Sequence, residues 1–342
     1  MSTILRAIEY YLPEKVLTNE ELACLYPDWT AARIEQKLGI VERHVAADDE
    51  CASDLAVRAA ERLFARGILS PADVDYLLFC TQAPDYILPT TACIIQQRLG
   101  IPQSAGALDF NLGCSGFVYG LGLAKGLIET RQAKNILLLT ADTYTKFMHP
   151  DDKGVRTLFG DAATASFITA GPAGTDASTS DIGPFVYGTN GSGARNLIVE
   201  AGGARKRKSD GTVTIDDNGL PHCDANLYMN GPEIFSFTLT TVFAAVEKLL
   251  TKSQHRLEDI DLFVFHQANK HMLENLRLKC RIPKEKFYVC MRHTGNTVSS
   301  TIPIALQHAL TDGTLRPGQL AMLVGFGVGY SWAATLVRLG HD

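Results

Sequence analysis

Ala107-Leu108-Asp109-Phe110-Asn111-Leu112-Gly113-Cys114-Ser115-Gly116-Phe117 joins an apolar segment to a helix-forming one. The residues up to Phe110 read as a buried strand, and residues 115–129 read as a helix. Cys114 therefore falls at a strand-to-helix turn. Unpaired N–H groups and the positive end of the helix dipole are expected to stabilise a thiolate there. The arrangement is that of a nucleophile elbow with sulfur in place of the serine oxygen. By itself, a cysteine in apolar surroundings is as readily a small core residue. Its role depends on what the rest of the chain brings to it.

The helix that follows carries Gly116, Gly120, Gly122 and Gly126. A helix-interior Gly costs about 0.5–1 kcal/mol against Ala, so four forgo on the order of 2–4 kcal/mol. Close packing would offset that cost, as in a central helix held between two sheets.

Further out, the chain repeats itself. A shift that carries Asp75 onto Asp261 also carries Glu61, Leu63, Asp73 and Phe79 onto Glu247, Leu249, Asp259 and Phe265. In both copies an amphipathic helix (55–65 and 242–252) leads through an acidic turn into an apolar strand (74–79 and 260–265). Gly113-Cys114-Ser115 is echoed by Gly295-Asn296-Thr297, and Phe159–Phe167 by Val328–Leu336, in the same order. The chain thus reads as two α/β halves related by a pseudo-twofold axis. The N-terminal half, 1–171, holds the nucleophile; the C-terminal half, 172–342, holds the His and the Asn described below. Leu320–Gly325 and Ser331–Val337 read as buried strands flanking a Gly-rich turn. Residues 188–224, rich in Gly, Asn, Asp and basic side chains, read as an exposed excursion.

Bulk properties narrow the function. The 342 residues are long for one core. A hydrophobic content of 46% and a charged content of 20% suit a folded soluble protein. The net charge of −5 gives no support to nucleic-acid binding. Met1-Ser-Thr-Ile-Leu-Arg is too short and polar for a secretory signal, and no run of about 18 apolar residues is read as a membrane span. The eight cysteines are scattered without a C-x-x-C pair, which argues against a metal site and a disulfide framework and for the reducing cytoplasm.

His266 ends the strand of the second repeat, in Phe263-Val-Phe-His266-Gln267-Ala268-Asn269. The pseudo-twofold brings Cys114, Asn296 and His266 towards one site at the junction of the halves. A thiolate at a helix start attacks a thioester and becomes an acyl-enzyme. The imidazole Nε2–H and the Asn amide are neutral donors suited to an enolate oxygen. The backbone N–H of Cys114 and those of the Gly327–Gly329 turn are candidates for the acyl-transfer oxyanion, with the glycines permitting close approach.

On these motifs the chain resembles the thiolase superfamily, and within it the 3-oxoacyl-acyl-carrier-protein synthase III (β-ketoacyl-ACP synthase III) family. The resemblance runs from Ile4 to Leu339, through Gly39-Ile-Val-Glu-Arg-His44, Asn111–Phe117, Phe159-Gly-Asp161, His266–Asn269, Gly295–Thr297 and the Gly-rich end through Trp332. It implies a five-layer αβαβα sandwich, a homodimer and ping-pong condensation. An acyl group moves from its thioester carrier to Cys114. Decarboxylation of malonyl-acyl carrier protein (malonyl-ACP) then gives a carbanion that attacks it, with His266 and Asn296 holding the enolate. Coenzyme A and phosphopantetheine thioesters would be substrates, with no separate cofactor or metal.

Residue by residue, the family's adenine-stacking aromatic aligns with Arg33, and two family arginines align with Lys37 and Lys153, so the stack is expected to be lost. Gly231 and Asn269 match the phosphopantetheine channel, and the carrier-touching Arg after it becomes His271. Leu88 aligns with a residue that crosses the dimer to floor the acyl pocket, often Phe in acetyl-specific members. A primer longer than acetyl is expected, each methylene being worth about 0.8 kcal/mol. Tyr144 and Phe159 match pocket positions. An acidic carrier protein needs a basic patch; Lys270, Arg277, Lys279 and Arg281, or Arg205-Lys-Arg-Lys208, are candidates. The segment 81–88 holds no Glu, against hydroxymethylglutaryl-CoA synthase-like and head-to-head chemistry. A non-decarboxylating acyltransferase and a non-catalytic partner subunit are the alternatives; the presence of Asn296 favours condensation over the first, and that of Cys114 and His266 disfavours the second.

Overall fold

The computed structural model describes residues 2–171, 182–217 and 219–338. The expected boundary between the halves, at 171/172, and the far end of the resemblance at Leu339 lie at the edge of or outside these residues. A first sheet draws on the N-terminal part of the chain. Its strands lie in the order Thr3–Tyr11, Ala162–Ala170, Asn135–Asp142, Tyr76–Cys80, Gly106–Phe110. The first two pairings are antiparallel and the last two parallel. The second sheet repeats this pattern with Ile182–Thr189, Ser331–Arg338, Leu320–Gly327 and Leu262–Phe265: antiparallel, antiparallel, parallel. In the fifth place stands a single parallel bridge from Phe263 to Phe287. The weak echoes in sequence thus correspond to one strand order used twice.

Helix Gly116–Glu129 packs against strands of both sheets, and Thr301–Thr311 lies beside it in the same layer. Helices Ala52–Ala65 and Thr91–Arg98 cover the outer face of the first sheet, while Gly231–Ser253 and Lys270–Lys279 form the opposite outer layer. The result is a five-layer αβαβα sandwich. Central strands are apolar along their length because both faces are covered, as in Ile136–Leu139 and Ala321–Val324, all fully buried.

Three of the four helix glycines meet the expected crowding. A Cβ on Gly116 would collide with Cys80 Sγ, one on Gly122 with the Tyr187 hydroxyl, and one on Gly120 would lie 2.7 Å from Leu138. Gly126 faces open space, so packing does not require it.

Other expectations change. The second-repeat helix begins not near residue 242 but at Gly231, because Asn230 caps it through Glu233 N–H at 3.3 Å and Pro232 fits its first turn. This 23-residue helix holds an 18-residue window of mean hydropathy 1.4, long and apolar enough by length and composition to cross a membrane, a test that a packed core helix also passes. Thr238, Val242, Ala245, Val246 and Leu249 are its buried face, turned to the second sheet and the neighbouring helix. The 188–224 excursion is not wholly exposed: Leu197 pairs with Met229 and is buried.

Candidate active site

Cys114, His266 and Asn296 line one cavity of about 650 Å³ between the two sheets' ends. Each is buried, and each is held by a different local device. Cys114 lies just ahead of helix Gly116–Glu129, whose start is fixed by Gly116 N–H donating to Gly113 C=O at 2.7 Å. The Ser115 and Ser331 hydroxyls, 2.7 Å apart, tie that turn to the second sheet. Gly327 passes so close that a Cβ there would sit 3.0 Å from the sulfur.

His266 continues its strand by one bond, N–H to Val324 C=O at 2.8 Å. Its ring stands edge-on to Phe326 at 5.4 Å, with Nδ1 2.7 Å from the Thr301 hydroxyl. Asn296 bridges the halves: its N–H donates to Leu158 C=O at 3.0 Å, and its C=O accepts from Gly160 N–H at 3.1 Å. Gly295 makes this approach possible, with φ at 68° and a Cβ position only 3.0 Å from Leu158 O. Val298 N–H donates to Asn296 Oδ1 at 3.0 Å, which leaves the amide Nδ2 to serve the cavity.

The electrostatics differ from the expected stabilised thiolate. Burial pushes the Cys114 thiol up to about 12, and the nearby Asp142 carboxylate adds to the rise. The N–H groups of Cys114 and Val328 pull the other way. In the Gly-rich turn it is thus Val328, rather than Gly327 or Gly329, whose amide acts on the sulfur; Gly327 supplies the clearance. Asp142 is itself raised to about 7 by burial, although Gln82 N–H at 2.8 Å and the Ser299 N–H and hydroxyl all donate to it. Burial lowers His266 to about 3, so the ring is neutral at physiological pH.

Other expected site residues divide. Lys37, Lys153, Gly231, Asn269 and Phe159 all line the cavity. Asn269 caps helix Lys270–Lys279 by accepting Met272 N–H at 2.8 Å, so its amide N–H₂ remains a donor. Tyr144 does not line the cavity. It lies behind Phe159, ring centroids 5.4 Å apart, and its hydroxyl donates to Gln82 Oε1. Leu88 lies outside its own chain's cavity and is 79% exposed, in the apolar loop Tyr86-Ile87-Leu88. Arg277 is engaged by Glu274 at 2.6 and 2.9 Å and by Ile282 C=O, leaving Lys270 and Lys279 as the exposed cations of that helix. Lys206 of the excursion pairs with Asp224.

An aromatic that the sequence reading did not single out lies nearby. Trp29 lines the cavity, with Lys37 Nζ 4.8 Å from its ring centroid and Arg33 at 5.7 Å. Thr30 caps helix Ala31–Leu38 through Arg33 N–H, which sets Trp29 about one helical turn ahead of Arg33. Trp29 thus reaches the cavity from the loop that precedes this helix. His271, stacked on Phe235 at 5.5 Å, Leu197 and Leu220 from the excursion, and Met229 just beyond it also line the cavity. The uneven run of Gly and charge in the excursion gave no signal of this.

The relationships to known proteins agree with this geometry. The family models for 3-oxoacyl-[acyl-carrier-protein (ACP)] synthase III and for its C-terminal part match residues 108–191 and 250–339. The chain is 34% identical to a β-ketoacyl-[acyl-carrier-protein] synthase III of Caldanaerobacter subterraneus, over 96% of this chain and 95% of that protein. A crystal structure of a 3-oxoacyl-(acyl-carrier-protein) synthase III is 54% identical and superposes with a TM-score of 0.96, covering 99% of this chain and 100% of that one. Another, a 3-oxoacyl-(acyl-carrier protein) synthase from Burkholderia xenovorans, is 33% identical with a TM-score of 0.89, covering 99% and 95%. With its five-layer fold and this extent of similarity, the chain belongs to the 3-oxoacyl-ACP synthase III (β-ketoacyl-ACP synthase III) family.

Proposed function

We propose that this chain is an acyltransferase that catalyses decarboxylative condensation of an acyl thioester with malonyl-ACP, yielding a 3-oxoacyl-ACP at the start of fatty-acid assembly. The observation that carries this reading is the convergence of Cys114, His266 and Asn296 on one largely apolar cavity. The Cys114 sulfur attacks the acyl carbonyl; its C–S bond forms as the donor's breaks, and the donor leaves as a thiol carrying the cysteine's proton. The Cys114 and Val328 N–H groups face the sulfur and are suited to the oxygen of this intermediate. Malonyl-ACP then loses CO₂, and the electron pair becomes an enolate. His266 Nε2–H and Asn296 Nδ2–H hold its oxygen. The carbanion attacks the acyl-cysteine, the new C–C bond forms as the acyl C–S bond breaks, and the cysteine sulfur leaves as a thiolate that takes a proton from solvent. These steps draw on side-chain and backbone groups and on thioester substrates.

Trp29, Lys37 and Lys153 suit the base and phosphates of coenzyme A, while Gly231 and Asn269 suit the pantetheine arm. Lys270 and Lys279 offer an acidic carrier protein its landing points. A homodimer is favoured by the exposed loop Tyr86–Leu88, in which Ile87 is 88% exposed, and by the edge strand Gly106–Phe110 with exposed Leu108. Leu88 reaching the partner's acyl pocket would admit chains longer than acetyl. A thiol nucleophile suits the cytoplasm.

Intact-mass measurement of Cys114 against acyl-CoA and acyl-ACP donors of increasing length tests the reading. The expected result is one acyl group on the wild type and none on Cys114→Ala, followed by malonyl-dependent CO₂ release and 3-oxoacyl-ACP. Acetyl preferred over longer chains would overturn the chain-length assignment. Acylation without CO₂ release would mean non-decarboxylating transfer, and no acylation by any donor a non-catalytic subunit.

A further inference from the structure

We propose that Thr301 selects the tautomer of His266: its hydroxyl donates to Nδ1, so the ring presents an N–H at Nε2 to the cavity. Thr301 is thereby a positioning residue for enolate formation, an inference that rests on the condensation reading above. His266 and Thr301 are each 2% exposed, and Nδ1 lies 2.7 Å from Oγ1. A neutral imidazole has one donor and one acceptor nitrogen, and the partner of one ring atom decides the role of the other.

The Thr301 hydroxyl has one proton and two acceptors within reach, His266 Nδ1 at 2.7 Å and Val298 C=O at 3.1 Å. O–H···O bonds cluster at about 2.7–2.8 Å and N–H···O bonds at about 2.9–3.0 Å. The Val298 contact is thus long for a hydroxyl donating to a carbonyl, and the His266 contact is short for a ring N–H donating to a hydroxyl, which favours the hydroxyl giving its proton to the ring. The opposite assignment would turn a lone pair of Nε2 towards a developing enolate oxygen and repel it.

The same short segment orients the second donor. Val298 N–H occupies Asn296 Oδ1 and so turns the amide Nδ2 outward. Residues 296–301, one turn at the start of helix Thr301–Thr311, thus fix both donor orientations.

The test is the ¹⁵N spectrum of protein labelled at histidine, with His266→Asn used to assign its signals, alongside kinetics of the two half-reactions. Wild type and Thr301→Ser are expected to show the Nε2–H tautomer, and Thr301→Val a shift to Nδ1–H. In Thr301→Val, malonyl decarboxylation relative to Cys114 acylation falls by about a hundredfold, the scale of a lost oxyanion donor; Thr301→Ser restores it. A wild-type ring in the Nδ1–H form overturns the proposal and needs no variant to fold. So does an unchanged tautomer and partition in Thr301→Val. If wild type acylates Cys114 but never releases CO₂, the condensation reading fails, while the spectrum still decides the tautomer.

Discussion

Cys114 is placed where two influences on a thiol oppose each other. The N–H groups of Cys114 and Val328 favour the thiolate, and burial with Asp142 nearby favours the thiol. Burial wins, leaving the sulfur raised to about 12. Alkylation needs the thiolate, whose fraction grows tenfold per pH unit below the pKa. We predict that iodoacetamide modifies Cys114 ever faster from about pH 7 to 9.5, with no plateau. Asp142→Asn removes a negative charge and is expected to speed the reaction at a given pH. A plateau near neutrality would show that the helix start dominates instead. His266, neutral because burial lowers it to about 3, adds no positive charge to assist.

At the scale of elements, helix Gly116–Glu129 separates packing need from propensity. Gly120 leaves no room beside Leu138, whereas Gly126 has nothing within 4 Å of a Cβ. Gly126→Ala is therefore expected to raise stability by about 0.5–1 kcal/mol, the helix-propensity difference. Gly120→Ala is expected to lower it by about 1–3 kcal/mol through overpacking. Chemical denaturation of both variants checks the signs; equal effects at the two positions would refute this division. The four glycines were visible in the sequence as a group. Which of them face a neighbour was not, because that depends on Cys80, Leu138 and Tyr187, brought in from other strands.

For the whole molecule, the question is what covers Tyr86-Ile87-Leu88. Ile87, at 88% exposure, has little to lose within its own chain, so Ile87→Asp leaves the fold intact. If the loop sits in a homodimer, the substitution buries a charge without a partner. Sedimentation is expected to show a wild-type dimer and a variant shifted towards monomer. A wild-type monomer, or a variant dimerising as tightly, would remove the loop from the interface.

The sequence by itself determined the layered α/β architecture and its duplication, because strand and helix periods and the order of motifs are local properties that survive when identity fades. It also singled out Cys114, His266 and Asn296, since a Cys at a helix start, a His ending a strand and an Asn after Gly each sit at a recognisable break. Only the tertiary structure decided what surrounds them. Trp29 enters the cavity from the loop ahead of helix Ala31–Leu38, Tyr144 withdraws behind Phe159, and Arg277 is taken by Glu274. Thr301 reaches His266 across 35 positions. The reversal at Cys114 has the same origin: a helix start is written in neighbouring residues, but burial and the closeness of Asp142 are set by chain segments far apart, and desolvation outweighs the local dipole.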